Sequence, residues 1–263
     1  MKLILGSASK AVSHLAARLN FSANATAAAA DTHAGESLPE WDLTDLYASV
    51  DDPKITADLE RVGALAADMK SKFKDQLSDI ARDSGQLLNL IEQYEQISDT
   101  MGRLGSFAGL RYAADQSDPD RAKFYGDIND KLLAISTDLI FLELELNTID
   151  DAIIDKALTD PKLARYAPWF RDLRRERPYQ LKEEIERLFT EKAATSGSWS
   201  RLFNETMTGL RFSVDGVDEP MTLEPTLNLM SDTDEAKRKA GSDALAKVFK
   251  DNVRLFSLIT NTL

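Results

Sequence analysis

The chain contains no cysteine. Disulfides, iron–sulfur clusters, cysteine-ligated zinc and thiol nucleophiles are therefore excluded. Histidine is nearly as scarce. His14 and His33 are the two in 263 residues, too few for most histidine-based metal sites. Glycine (12) and proline (8) are sparse, while 43% of residues are hydrophobic and 29% charged. That is a globular composition, not a disordered one. No apolar run approaches the ~18 residues of a membrane-spanning helix, so no membrane partner is expected. Positive charge is also in deficit. The 32 Lys and Arg face 44 Asp and Glu, a net charge of −12, which disfavours a general nucleic-acid surface.

The charge is unevenly spread. Residues 1–30 carry Lys2, Lys10 and Arg18 and no acid, a net of +3. This Ala- and Ser-rich stretch has the traits of an organellar transit peptide. It fits a secretory signal poorly, because Lys10 interrupts the apolar run that follows Leu3. The plainer reading is a solvent-exposed extension over residues 1–37. The matching expectation for location is cytoplasmic, with organelle targeting as the alternative.

What remains is rich in helical periodicity. Trp41, Leu43, Leu46 and Tyr47 form an apolar segment too short for a stable helix, expected to be pinned onto the body, with Asp42 and Asp45 capping turns. Asp52-Pro53 reads as an N-cap followed by proline at the first helical position. Beyond it, Ile55, Leu59, Val62, Ala66, Met69, Phe73, Leu77 and Ile80 predict one long amphipathic helix. The pattern restarts after Asp83 at Leu87, Leu90, Tyr94, Ile97, Met101 and Leu104. Gly102, Gly105 and Gly109 would permit close helix contact or end that helix. Asp118-Pro119 repeats the capping device and opens a helix to about Asn147. Leu142, Leu144 and Leu146 alternate like a strand there, but Ile135, Leu139, Leu142, Leu146 and Ile149 keep a helical face over a longer window. Asp160-Pro161 begins a shorter element ending near Arg177-Pro178, and residues 180–194 read as another helix.

Leu210, Phe212 and Val214 alternate with polar residues before Asp215-Gly216, and Val217, Met221 and Leu223 follow. This predicts a small β-hairpin near residues 208–223, with Pro220 as a complication. Ser231 to Glu235 offers a capping-box start. Its helix carries Leu245, Val248, Asn252, Leu255 and Ile259 to the last residue without a stop signal. The expected fold is mostly α: a multi-helix lobe of long antiparallel helices with one small hairpin.

Chemistry-bearing motifs are missing. There is no H-E-x-x-H, no P-loop, no G-x-G-x-x-G and no G-x-S-x-G. His14 has no acidic neighbour at helical spacing, and His33 sits between Asp31 and Glu36 without converging ligands. Both read as structural or solvent-exposed. Glu183, Glu184 and Glu186 read as a solvated helix face near a helix start; catalytic carboxylates are the alternative. Arg171, Arg174, Arg175 and Arg177 form the densest basic patch. Phosphate or carboxylate binding is open to them, but interleaved Asp172 and Glu176 favour ion pairs within the helix. Trp169, Phe170, Trp199 and Phe203 read as core residues. From chemistry alone, no catalytic, metal or substrate-binding residue is assigned.

Four segments, taken in order, resemble oligoendopeptidase F, a family of thimet oligopeptidase-like zinc metallopeptidases. Trp41-Asp-Leu-Thr-Asp-Leu-Tyr47, after Leu-Pro-Glu, resembles the family's opening signature. Arg177-Pro-Tyr-Gln-Leu-Lys-Glu-Glu184 resembles its "kPHxLsxxEE" segment, with Tyr179 where the family commonly has histidine. Gly197-Ser-Trp-Ser-Arg-Leu-Phe203 resembles "G..AW..LF.E". Ser231-Asp-Thr-Asp-Glu-Ala-Lys-Arg-Lys-Ala240 resembles "S.DR.VR..A". The resemblance implies a helical lobe over residues 38–200 and the start of the catalytic domain over residues 201–263. It implies a zinc cofactor whose ligands lie beyond this chain, with none held here, so that the chain is an N-terminal portion, inactive alone. It implies short peptides as partners of the complete enzyme. Exposed apolar groups on the last helix (Leu245, Val248, Leu255, Phe256, Ile259, Leu263) are expected to promote self-association. The competing expectation is an independent α-helical protein-interaction module without enzymatic activity.

Overall fold

The computed structural model describes residues 41–262. The extension over residues 1–37, His14, His33 and Leu263 lie outside the described residues. Ten α-helices account for most of what is described: α1 (Pro53–Phe73), α2 (Leu77–Ile80), α3 (Ser84–Ala114), α4 (Pro119–Thr148), α5 (Asp151–Ala157), α6 (Ala167–Glu176), α7 (Glu183–Gly209), α8 (Leu223–Leu229), α9 (Glu235–Asp251) and α10 (Val253–Thr262). Short 3-10 turns at Ala164–Tyr166 and Arg177–Tyr179 flank α6.

The caps act where the sequence places them. Asp52 accepts the Lys54 N–H at 2.9 Å ahead of Pro53, and Asp118 accepts the Asp120 N–H at 2.8 Å ahead of α4. Asp83 accepts from Gly85 and Gln86 to open α3. The single helix expected from Pro53 to Ile80 is instead broken after Phe73. Asp75 there adopts a left-handed φ of 65°, which ends an α-helix. Leu77 and Ile80 are nevertheless buried, because the chain re-enters helix with the apolar spacing still in phase. Gly105 and Gly109 do not end α3, which continues to Ala114.

The described chain divides into two compact units. The first holds residues 42–111 and 123–194, the second residues 112–122 and 195–262, with Trp41. In the first unit, Tyr47 stacks edge-on against Phe107 and Arg61 donates to Thr100, so α3 runs antiparallel to α1. Tyr94 meets Glu143 and Phe107 meets Phe124, so α4 runs antiparallel to α3. Lys70 pairs with Asp138 and the Asp75 N–H bonds Glu145, which sets α1 and α4 parallel. Between these helices lie Leu87, Leu90, Ile97, Leu104, Leu132 and Leu142, each at most 2% exposed. Each such side chain stabilises the unit by about 1.5–3 kcal/mol. Leu142, Leu144 and Leu146 are all buried, so their alternation reflects a helix covered on more than one face. The Trp41 expectation is corrected. Trp41 is 70% exposed, and Tyr47 does the pinning through Phe107 and a 2.8 Å hydrogen bond to Asp58.

The second unit has a smaller core of Phe212, Val214, Ala244 and Leu245, with Phe249 edge-on to Phe212. The expected hairpin is not formed. Phe212 and Met221 exchange two backbone hydrogen bonds of 2.9 Å, an isolated antiparallel bridge. Gly216 turns the chain at φ 85°, but Pro220 has no N–H to extend a ladder. Helix α8 follows, a helix the alternation did not foretell. The cap of α9 is Asp234, accepting the Ala236 N–H at 2.8 Å, rather than Ser231. The continuous final helix is also corrected: Asn252 breaks it, its side-chain amide donating to the Val248 carbonyl. Ile259 is buried on α10, and Phe256 meets Phe203 and Phe249, while Val253 and Leu258 stay exposed.

Candidate functional site

The C-terminal end of α4 has carbonyls with no partner within the helix. Two side chains from the following segment reach back to carbonyls in its last turns and just beyond it. Arg174 Nη1, on α6, donates to the Asn147 carbonyl at 2.9 Å and the Ile149 carbonyl at 2.8 Å. Gln180 Nε2 donates to the Leu144 carbonyl at 3.1 Å. A guanidinium at a helix C-terminus also suits the negative end of the helix dipole. Burial lowers the pKa of Arg174 from its ordinary value, and Asp151, 3.5 Å away, pulls it back up.

Three polar atoms in this neighbourhood are left over. Asn147 Oδ1, Gln180 Oε1 and Arg174 Nη2 are buried without a hydrogen-bond partner among the described residues. Asn147 is 1% exposed. Beside them lies an open cleft of about 420 Å³ lined by Asn147, Thr148, Arg177, Gln180, Leu181 and Lys182. Its lining bears two cations and no carboxylate. Arg177 Nη1 lies 3.2 Å from Asp151. The cleft has hydrogen-bonding groups and positive charge, but no nucleophile–base pair, so it can hold a ligand rather than transform one.

The residues singled out in the sequence fall around this region unevenly. The Arg171–Arg177 patch is only partly an ion-paired helix face. Arg175 sits 3.4 Å from Asp172, but Arg174 leaves the pattern to cap α4, and Arg177 pairs with Asp151 across helices. The Glu183–Glu186 run is corrected too. Glu183 binds Lys74, raising the lysine pKa, and Glu184 is exposed, yet Glu186 is fully buried and accepts the Leu181 N–H at 2.9 Å. Tyr179 is 56% exposed beside the cleft residues in sequence. Phe170 is core and Trp169 packs on it at 4.9 Å, whereas Phe203 is 42% exposed, contrary to the core reading. Asn147 and Gln180 carried no site signal. Gln180 lies inside the Arg177–Glu184 motif, but Asn147 merely ends an apolar run.

Two further carboxyls are notable for their surroundings. Burial raises the pKa of Glu143, although the Tyr94 hydroxyl donates to it at 3.1 Å. Burial likewise raises Glu145, which accepts the Asp75 N–H at 2.8 Å. Neither faces a metal-binding set. Among the described residues no group of three or more His, Asp or Glu could hold a metal ion, so the zinc that the resemblance implies does not fit the donors present. No helix of the described residues is long and apolar enough to cross a membrane.

Comparison with known proteins gives a consistent pattern. The family described as Oligopeptidase F matches residues 145–212, a span that includes every residue lining the cleft. Oligopeptidase PepF of Bacillus subtilis (strain 168) is 26% identical over 221 residues, covering 80% of this chain and 31% of PepF. The crystal structure of oligoendopeptidase-F from Enterococcus faecium is similar with a TM-score of 0.64 at 19% identity, over 80% of this chain and 39% of that one. The chain thus spans about a third of the length of the curated relative it matches.

Proposed function

The chain is related to oligoendopeptidase F over most of its length, and from that premise we propose that it forms the N-terminal helical lobe of such a peptidase. The relatedness to PepF over 80% of the chain carries this reading. The mostly helical fold and the match over residues 145–212 support it. In this reading residues 38–200 form the lobe and residues 201–263 begin the catalytic domain. The lobe walls a channel that admits short peptides, and zinc-dependent hydrolysis belongs to parts of the enzyme this chain does not contain. The setting is cytoplasmic. Of the apolar groups expected to lie exposed on the last helix, Leu245 and Ile259 are instead buried, so self-association of the isolated chain rests on Val253 and Leu258 of α10. The same relatedness favours the peptidase lobe over an independent helical interaction module.

Metal analysis and a peptide assay test this on the purified chain. After dialysis against buffer with trace zinc, the chain holds no stoichiometric metal and leaves quenched short peptides intact. One tightly held zinc per chain with chelator-sensitive cleavage would overturn the reading.

A further inference from the structure

The part of helix α7 that belongs to the first unit, residues 183–194, packs with its sides reversed. Glu186 and Thr190, a carboxylate and a hydroxyl, are fully buried. Glu186 accepts the Leu181 N–H at 2.9 Å, and the Thr190 hydroxyl donates to the Glu186 carbonyl at 3.0 Å. Ile185, Leu188 and Phe189, at helical positions i, i+3 and i+4, stand on the other side and are 41%, 52% and 46% exposed. A helix serving this unit alone would turn its apolar stripe inward and its polar groups to water. Burying polar groups while three large apolar ones stay wet suits a helix whose apolar side has another seat. The stripe is a ridge on one helix, not a concavity, so it offers no enclosure for a single extended peptide. Exposed Glu184, Arg187, Glu191 and Lys192 surround it, and the net charge of −12 opposes an anionic lipid surface. A ridge of this kind fits a groove between elements of a large folded partner.

Two observations point to the partner. The family match over residues 145–212 takes in the whole of α7, so the outward stripe belongs to what this chain shares with Oligopeptidase F. PepF holds the shared region within a much longer chain, of which the match covers 31%. We propose that the ridge of Ile185, Leu188 and Phe189 is the surface on which the remaining, catalytic part of an oligoendopeptidase F packs. The proposal rests on the peptidase-lobe reading and adds to it the contact that joins the lobe to the rest of the enzyme. Glu186 and Thr190 hold the helix from its inner side, so the ridge faces outward before the partner arrives.

The chain has no cysteine, so Leu188→Cys supplies a single thiol that reports on the ridge. Its maleimide labelling, read by mass mapping of the peptide holding residue 188, is measured in the 263-residue chain and in a chimera in which this chain replaces the matched region of PepF. Labelling is expected to slow by at least about tenfold in the chimera, because a packed side chain reacts only when its contact opens. Lys123→Cys on α4, where the side chain is 75% exposed, is the control and should label at the same rate in both. Leu188→Glu should leave the melting temperature of the isolated chain unchanged and lower that of the chimera; an unchanged chimera would overturn the ridge. Protection at residue 188 supports the ridge whether or not the chimera cuts peptides. Rapid labelling in a chimera that hydrolyses quenched peptides overturns the ridge and leaves the lobe reading standing. Rapid labelling in an inert chimera overturns the ridge and counts against the lobe reading as well. Equal slowing at residue 123 overturns the ridge, as does protection in the isolated chain that grows with concentration, which would mark a second copy as the occupant.

Discussion

Replacing Arg174 by methionine keeps the aliphatic stem and deletes the guanidinium. Two buried carbonyls, of Asn147 and Ile149, then lose donors at 2.9 and 2.8 Å. An acceptor left unmade costs about 1–3 kcal/mol, so two cost about 2–6. Against this, the variant releases one unpartnered Nη2 and a guanidinium whose side chain is only 16% exposed, offsetting about 1–3 kcal/mol. The net loss is about 1–3 kcal/mol, which lowers Tm by about 2–12 °C in a chain of this size. Arg175→Met is the internal control. That side chain is 71% exposed and 3.4 Å from an equally open Asp172, so its loss changes stability by no more than about 0.5 kcal/mol. Thermal and urea melts of the two variants beside the parent measure the difference. Equal, small effects from both would refute the assignment of Arg174 as the cap of α4.

Glu143→Gln keeps an acceptor for the Tyr94 hydroxyl and removes a charge that burial disfavours, so it should stabilise the protein at pH 7. A carboxyl with a raised folded pKa binds its proton more readily in the native state, so the parent regains this stability as pH falls through the folded value. The advantage of the variant should therefore shrink towards zero below the unfolded value of about 4.5, as melts at several pH values would reveal. A variant advantage that is the same at pH 4 and pH 7 would contradict the burial argument. Gly241→Ala would place a Cβ 2.9 Å from Leu229 Cβ and 3.2 Å from the Thr226 carbonyl, wedging α8 from α9. It should cost about 1–3 kcal/mol and raise hydrogen exchange in both helices. Asp75→Gly relieves a left-handed φ of 65° without touching the backbone bond to Glu145, and should stabilise by roughly 0.5 kcal/mol in urea melts.

Local signals carried much of the fold. Asp52-Pro53, Asp118-Pro119 and the apolar spacing through α1, α3 and α4 specify their elements within a few residues, because capping and periodicity act over one or two turns. Breaks that preserve phase left no trace: Phe73, Leu77 and Ile80 keep helical spacing across the turn at Asp75. Asn252 likewise interrupts a helix whose apolar steps continue into α10. Alternation at Leu210, Phe212 and Val214 was genuine, but burial of Phe212 and Val214 needs only one bridge, not a hairpin. The cleft was largely hidden. Arg174 and Gln180 owe their roles to carbonyls 25 to 36 residues away, and Asn147 acquires its role only when α6 folds back on it. No periodicity encodes such contacts. The four family-like segments, by contrast, were legible because they are short and contiguous.

The most direct test of the central claim exchanges lobes. The region of Bacillus subtilis oligopeptidase PepF that this chain matches, 31% of that protein, is replaced by this chain, and hydrolysis of quenched short peptides is measured beside PepF lacking the region. The chimera is expected to hydrolyse the peptides and the deletion to leave them intact. A chimera that folds and leaves peptides uncut would contradict the central claim.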